Sequence, residues 1–210
     1  MPNNGHFLHL LDRLNQIGVS LSREKDLGRL LETILLAAKE LANADAGTLY
    51  LVEDGMLRFE ILRTDSLGIA FGGTSGKAPT FTPIPLCLKD GSPNDDMVVA
   101  CAVINDRTIN IDDAYDIGAY DFSGTRLFDE KTGYRSKSFL TVPMKNHENE
   151  VIGVLQLINA LDDDGNIVPF SAASQQLVES LASQAAIALT NRQLIEQLEK
   201  LFESLIQLIN

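Results

Sequence analysis

Tryptophan is absent from this 210-residue chain, aromatic residues make up only 6% of it, and it holds just two cysteines and three histidines. Two cysteines, Cys87 and Cys101, with no Cys-x-x-Cys spacing between them, cannot build a disulfide framework or a zinc site. Both are expected to be buried free thiols. His6 and His9 lie near the start and His147 falls in an expected turn, so no histidine pair or histidine–carboxylate set offers metal or base chemistry. The serines are therefore left without an activator. Basic residues are scarce: 17 Lys and Arg face 29 Asp and Glu, a net charge of −12. Acidic clusters at Asp95-Asp96, Asp112-Asp113 and Asp162-Asp163-Asp164 would repel a phosphate backbone, which argues against nucleic acid as a partner. No apolar run approaches the roughly 18 residues a membrane span needs, and the start MPNNGHFLHLLDRL lacks the features of a secretory signal. A cytoplasmic location without membrane insertion is the expectation.

What is present is an ordinary globular composition, 45% hydrophobic and 22% charged, enough for one domain with extensions. Phe7, Leu10, Leu14, Ile17 and Leu21 step by three and four, which predicts an amphipathic helix. Leu27, Leu30, Leu31, Ile34, Ala38 and Leu41 draw a second helical stripe that ends in the turn Asn43 to Gly47. The period then drops to two. Leu49 to Val52 and Leu57 to Leu62, joined by Glu53-Asp54-Gly55, predict a β-hairpin. A Gly/Ser/Thr-rich loop from Asp65 to Lys77 precedes a strand-like run, Thr80 to Leu88, whose Pro83 and Pro85 suit only an edge. Helical spacing returns briefly at Met97 to Ala102, and a short helix is expected near Gly124 to Glu130. Phe139 to Met144 and Val151 to Asn159 predict a second hairpin, completing an antiparallel sheet.

From Ser171 to Asn210 neither Gly nor Pro interrupts a helix that would be about 60 Å long at about 1.5 Å per residue. Within it Ile187, Asn191, Leu194, Leu198, Leu201, Leu205 and Leu208 follow the alternating four-three spacing of a coiled-coil seam, with Asn191 as the one polar seam residue. A parallel homodimer is expected, its interface made by this seam together with Leu10, Leu14 and Ile17 of the first helix. The seam stops in mid-pattern without a capping signal, so an effector domain is expected beyond Asn210.

Two segments mimic known chemistry. Gly72-Gly73-Thr74-Ser75-Gly76-Lys77 resembles a phosphate-cradling loop, but Phe71 stands where the first glycine belongs and Ala78 where a hydroxyl should hold magnesium. Asp162-Asp163-Asp164-Gly165-Asn166 lacks the glycine at position six and the glutamate at position twelve of a calcium loop, so a solvated turn is expected.

Three segments carry a resemblance: RTINIDDAYD at 107–116, FDEKTGYRSKSFLTVPM at 128–144 and EVIGVLQLIN at 150–159. In this order they are similar to the GAF domain family, over about Leu27 to Asn191. The resemblance implies an α+β fold: a six-stranded antiparallel sheet with helices on one face and a ligand pocket under loops and short helices on the other. It implies an N-terminal helix over 1–24, a sensor domain over 25–190 and a signalling helix over 191–210. The pocket residues it suggests are Ile84, Leu86, Val99, Ile111, Asp112, Tyr115, Phe128, Thr132 and Tyr134, with structural roles such as turn or cap residues as the competing expectation for each. Cyclic-nucleotide-binding members carry Asn-Lys followed by Phe, three residues and Asp-Glu, whose Lys and Asp pair. Here Asn159 and Phe170 match, while Ala160 and Ser174-Gln175 remove the ion pair. That weakens a cyclic nucleotide as ligand and leaves another small metabolite open. Bilin-binding members need a suitably placed cysteine followed by His, which neither Cys87-Leu88 nor Cys101-Ala102 supplies.

The functional expectation is a non-catalytic small-ligand sensor that dimerises and controls an effector through the long helix. No cofactor and no metal is assigned. The final segment is similar to the helix that enters HD-GYP phosphodiesterase domains. Two alternatives stand beside this: a ligand-free dimerisation domain, and a reductase of free methionine sulfoxide, which would need reactive cysteines in the pocket.

Overall fold

A computed structural model describes the backbone over residues 4–116 and 118–209, and the side chains of residues 8–208 apart from 117. Phe7, first in the helical stripe, has its side chain outside that set. Two helices, α1 (Asn4–Arg23) and α2 (Leu27–Ala42), open the chain. Asp26 caps α2 by accepting from the Arg29 amide at 2.7 Å, and Asn43 closes it in the left-handed region at φ 47°. Strands β1 (Ala44–Glu53) and β2 (Met56–Thr64) form the first hairpin, extended by β3 (Ile69–Phe71). Next come β4 (Ile84–Pro85), α3 (Val98–Ile104), β5 (Ile109–Ile111) and α4 (Ser123–Thr132). The second hairpin, β6 (Phe139–Lys145) and β7 (Val151–Leu161), leads through β8 (Ile167–Val168) to α5 (Ala172–Ile209). The main sheet runs β3-β2-β1-β7-β6-β5 with every pairing antiparallel, and β4 and β8 add short edges to β2 and β7.

Three expectations change in detail. The turn expected over Asn43 to Gly47 shrinks to Asn43, since β1 begins at Ala44. The run from Thr80 to Leu88 pairs with β2 only at Ile84–Pro85 and adds a lone bridge from Cys87 to Pro93, because its prolines lack the amide a longer ladder needs. The loop after Asp65 contains β3 and a single 3-10 turn at Gly73–Ser75 instead of being irregular throughout.

Alternation along the central strands sends Leu49, Leu51, Leu140, Val142, Met144, Leu155 and Leu157 to one face, into a core shared with α1, α2 and α5. The other face carries Thr48, Tyr50, Phe139, Val154 and Gln156 toward α3, α4 and the loops. A β-bulge keeps β2 in step: Leu49 pairs with Ile61 but Tyr50 pairs with Phe59, so Glu60 is the extra residue. Without it Phe59 and Ile61 would share a face; with it each reaches the side its neighbours require. Gly72 (φ 73°) packs against this bulge so closely that a Cβ there would lie 1.8 Å from the Glu60 carbonyl oxygen.

Helix α5 has two halves. Leu177, Val178, Leu181, Ala182, Ala185, Ala186 and Leu189 are buried against the domain. Past Leu189 the large apolar side chains are exposed: Leu194 is 49% exposed, Leu198 54% and Leu201 56%. The first helix departs from expectation here. Leu14 and Ile17 are buried in the chain's own core and Leu10 packs partly buried against it, because α1 lies along α5 with Gly18 against Gln184. They leave little surface for a second copy.

Candidate functional site

A cavity of about 370 Å³ lies on the sheet face opposite the three large helices, roofed by α3, α4 and the segment from Phe81 to Ile84. One wall is an aromatic series, Tyr50 to Phe59 at 4.6 Å between centroids and Phe59 to Phe81 at 5.0 Å, with Phe71, outside the lining, 5.6 Å from Phe81. The opposite wall has Phe122 against Phe139 at 5.2 Å and Phe128 against Tyr134 at 6.3 Å. Such rings offer large apolar faces with defined edge polarity.

The floor is polar but uncharged. Thr48 on β1, Gln156 on β7 and Thr141 on β6 stand in register across three adjacent strands. The Tyr50 hydroxyl donates to Gln156 Oε1 at 3.3 Å, and Gln156 Nε2 donates to Thr141 Oγ1 at 3.3 Å. Burial pushes the Tyr50 hydroxyl well above its ordinary pKa, which keeps it protonated as a donor.

Carboxylates brace the walls from behind. Tyr134 donates to Asp45 Oδ2 at 2.6 Å, and Asp45 also accepts from the Ser66 amide at 3.0 Å and the Ser66 hydroxyl at 2.8 Å. Burial, and then the neighbouring Asp45, raise the Tyr134 pKa. Buried Asp129 on α4 accepts from Ser136 twice and from the Tyr115 hydroxyl, each at 2.8 Å. Asn159, at φ 60°, binds the Arg135 carbonyl at 2.7 Å through Nδ2 and accepts from the Lys137 amide at 2.7 Å. These bonds clamp the α4–β6 connection, Gly133 supplying the left-handed cap of α4 at φ 70°. Arg63, which contributes to the lining, has its guanidinium committed to Glu32 and to the carbonyls of Leu62, Phe71 and Gly72.

Of the residues suggested for the pocket, Ile84, Val99, Phe128 and Tyr134 line it. The other five do not. Leu86 packs against a neighbouring cluster that includes Leu57 and Val99, and Ile111, the last residue of β5, is buried in the cluster of its strand partner Phe139. Asp112 is exposed at the end of β5. Tyr115 lies outside, its ring under the Arg135 guanidinium at 3.4 Å. Thr132 donates back to the Phe128 carbonyl at the end of α4. Sequence reasoning missed Thr48, Gln156 and the aromatics Tyr50, Phe59, Phe81, Phe122 and Phe139. A lone polar residue at a sheet-facing position, as at Thr48 and Gln156, was the available signal; Phe81 had none.

The two segments set aside on spacing have local roles. The Gly72 amide donates to the Lys77 carbonyl at 2.7 Å, closing a small loop whose Thr74 amide binds Glu32. Asp162 accepts from the Asp164 and Asn166 amides of its own turn. Cys87 is exposed and Cys101 is buried on α3, its Sγ 3.4 Å from Asn105 Nδ2. Neither lines the cavity.

An antiparallel sheet with a helical layer on one face and an aromatic-walled cavity on the other defines a sensory domain class. The GAF domain profile matches residues 26–189, and the chain belongs to the GAF domain family. Among curated proteins it is 26% identical over 193 residues to the dual 3',5'-cyclic-AMP and -GMP phosphodiesterase 11A of Takifugu rubripes, covering 90% of this chain and 20% of that one. The chain thus spans about a fifth of that relative. Among solved structures it resembles the GAF domain of a phosphoenolpyruvate-protein phosphotransferase from Coxiella burnetii (TM-score 0.68, 16% identity, 91% and 98% of the two chains). It also resembles a free methionine-R-sulfoxide reductase from Neisseria meningitidis (TM-score 0.63, 16% identity, 90% and 93%). A GAF/HD domain protein from Geobacter sulfurreducens shares the fold at TM-score 0.55 and 16% identity, covering 83% and 98%.

Proposed function

We propose that this chain is a small-ligand-sensing and dimerisation module, which controls an effector joined through α5. The observation that carries the reading is the change along α5, whose buried half packs behind the sheet that floors the cavity and whose outer half exposes the apolar seam residues Leu194, Leu198, Leu201, Leu205 and Leu208. A ligand that binds one packing of the domain on this helix better than another would shift the arrangement of two such helices. Asn191, exposed on the seam, sets the register of a parallel pair. The effector is of the HD-GYP phosphodiesterase kind, a reading supported by the final segment and by the shared fold of the GAF/HD protein. The reductase reading is disfavoured because neither cysteine lines the cavity.

Sedimentation should give a dimer that the double change Leu198→Glu, Leu201→Glu converts to monomer without altering the cooperativity of melting. Asn191→Cys should form an interchain disulfide on mild oxidation. A monomeric wild-type chain, or an Asn191→Cys dimer that never crosslinks, would overturn the parallel pair. Stabilisation by no small molecule would leave only a dimerisation domain.

A further inference from the structure

The chain has nine Phe and four Tyr, and seven of these thirteen rings line one cavity. In so aromatic-poor a chain that concentration calls for a ligand with flat apolar faces. The floor adds a second requirement. A glutamine amide carries two N–H donors and an oxygen with two lone pairs. Gln156 uses one of each, on Thr141 and Tyr50. Whichever way the amide is turned, one donor and one acceptor remain unused, and Gln156 lines the cavity. A purely apolar ligand would seal these two groups away from water unpaired.

Charge supplies the third requirement. The charged residues in the lining are Arg63, whose two terminal nitrogens are committed to Glu32 and to three backbone carbonyls, and Asp121. Asp45 and Asp129 stand one hydrogen bond behind Tyr134 and Ser136. An anion would face the Asp121 carboxylate, with two more a hydrogen bond behind the wall, and the one lining cation, Arg63, is already paired with Glu32.

We propose that the cavity selects an uncharged planar heteroaromatic ring, whose adjacent donor and acceptor atoms pair with the free edge of the Gln156 amide. This rests on the sensor reading and names the ligand class that reading leaves open. It also separates this chain from a sensor that needs a phosphate.

Calorimetric titration of the full chain tests it with neutral purine, pyrimidine and pteridine bases and nucleosides, the 3',5'-cyclic monophosphates of the same bases, and 2-oxoglutarate as a non-aromatic anion. A neutral ring should bind at least as tightly as its cyclic monophosphate. Gln156→Leu should weaken that ring at least tenfold. Gln156→Glu, which keeps the shape and removes the donor, should weaken it as well, with circular dichroism confirming the fold of both. The proposal is overturned by a cyclic monophosphate that binds more than tenfold tighter than its nucleoside. Binding of 2-oxoglutarate in place of rings, or unchanged ring affinity in either folded variant, overturns it too while leaving a ligand sensor standing. Binding by nothing in the panel, with no thermal stabilisation by any other metabolite, removes both readings.

Discussion

The two faces of the sheet are built from the same strands by strict alternation, yet they differ in kind. Toward α1, α2 and α5 the inward positions of the central strands are mainly apolar and merge into one continuous core. Toward α3 and α4 the buried residues split into two separate clusters, one around Phe122 and Phe139 and the other around Tyr50 and Val154. The cavity occupies the gap between them, bordered by residues of both. A continuous core gains dispersion and burial at every contact, whereas two separate clusters leave that gain unrealised in the gap. Stability therefore belongs mainly to one face and recognition to the other.

The most direct way to break that contrast is Leu155→Ala. Leu155 is wholly buried on the helix side, one residue from the cavity-floor Gln156. Truncation should cost about 2–5 kcal/mol in urea or thermal unfolding. Ligand affinity at a temperature where the variant remains folded should be little changed. If stability barely falls, the division between the faces is wrong.

A smaller effect tests the other face. Tyr134→Phe keeps the ring in the cavity wall and removes the donor to Asp45, which retains both bonds from Ser66. A loss of about 1–2 kcal/mol is expected for one hydrogen bond to a carboxylate. The more telling readout is hydrogen exchange. The amides of Ser136 and Lys137, held by Asp129 and Asn159, should exchange faster because the α4–β6 connection loses one of its ties. Exchange confined to the cavity face would sharpen the comparison; exchange spreading into α2 would blur it.

The fold was largely legible and the site largely was not, for one physical reason. Period is a local property, so the hairpins from Leu49 to Leu62 and from Phe139 to Asn159, and helix α5, follow from spacing alone. The cavity is assembled from rings far apart in sequence, and what brings Phe81 beside Phe59 is a proline-broken segment with no periodicity. Leu14 and Ile17 show the same limit in reverse. Their stripe reads identically whether it meets a second copy or α5 of its own chain, and only the tertiary arrangement decides. Family resemblance pointed to Phe128 and Tyr134, which line the cavity, and equally to Tyr115, whose hydroxyl is bonded to Asp129 outside it.

The smallest expected effect asks whether the two faces are independent. Glu32 stands on α2, on the helix side, and pairs with Arg63 while accepting from the Thr74 amide at 2.8 Å. Arg63 in turn holds the carbonyls of Phe71 and Gly72, and Phe71 packs edge-on against Phe81 of the aromatic wall. Burial alone would raise the Glu32 pKa, but the bonds from Arg63 and Thr74 outweigh it and leave the carboxyl below its ordinary 4.5. A depressed carboxyl pKa stabilises the fold at pH values above the unfolded-state value, and that contribution is lost as pH falls through the folded value. Wild type should thus lose stability below about pH 4.5 more steeply than Glu32→Gln, which has no proton to take up there. Arg63 keeps its three carbonyls throughout, so the difference should be modest. If the Gly72 and Thr74 amides lose protection over the same interval while those of β6 do not, α2 and the cavity mouth are joined through this one ion pair. Parallel curves for the two proteins would mean that the helix face can loosen without the cavity registering it.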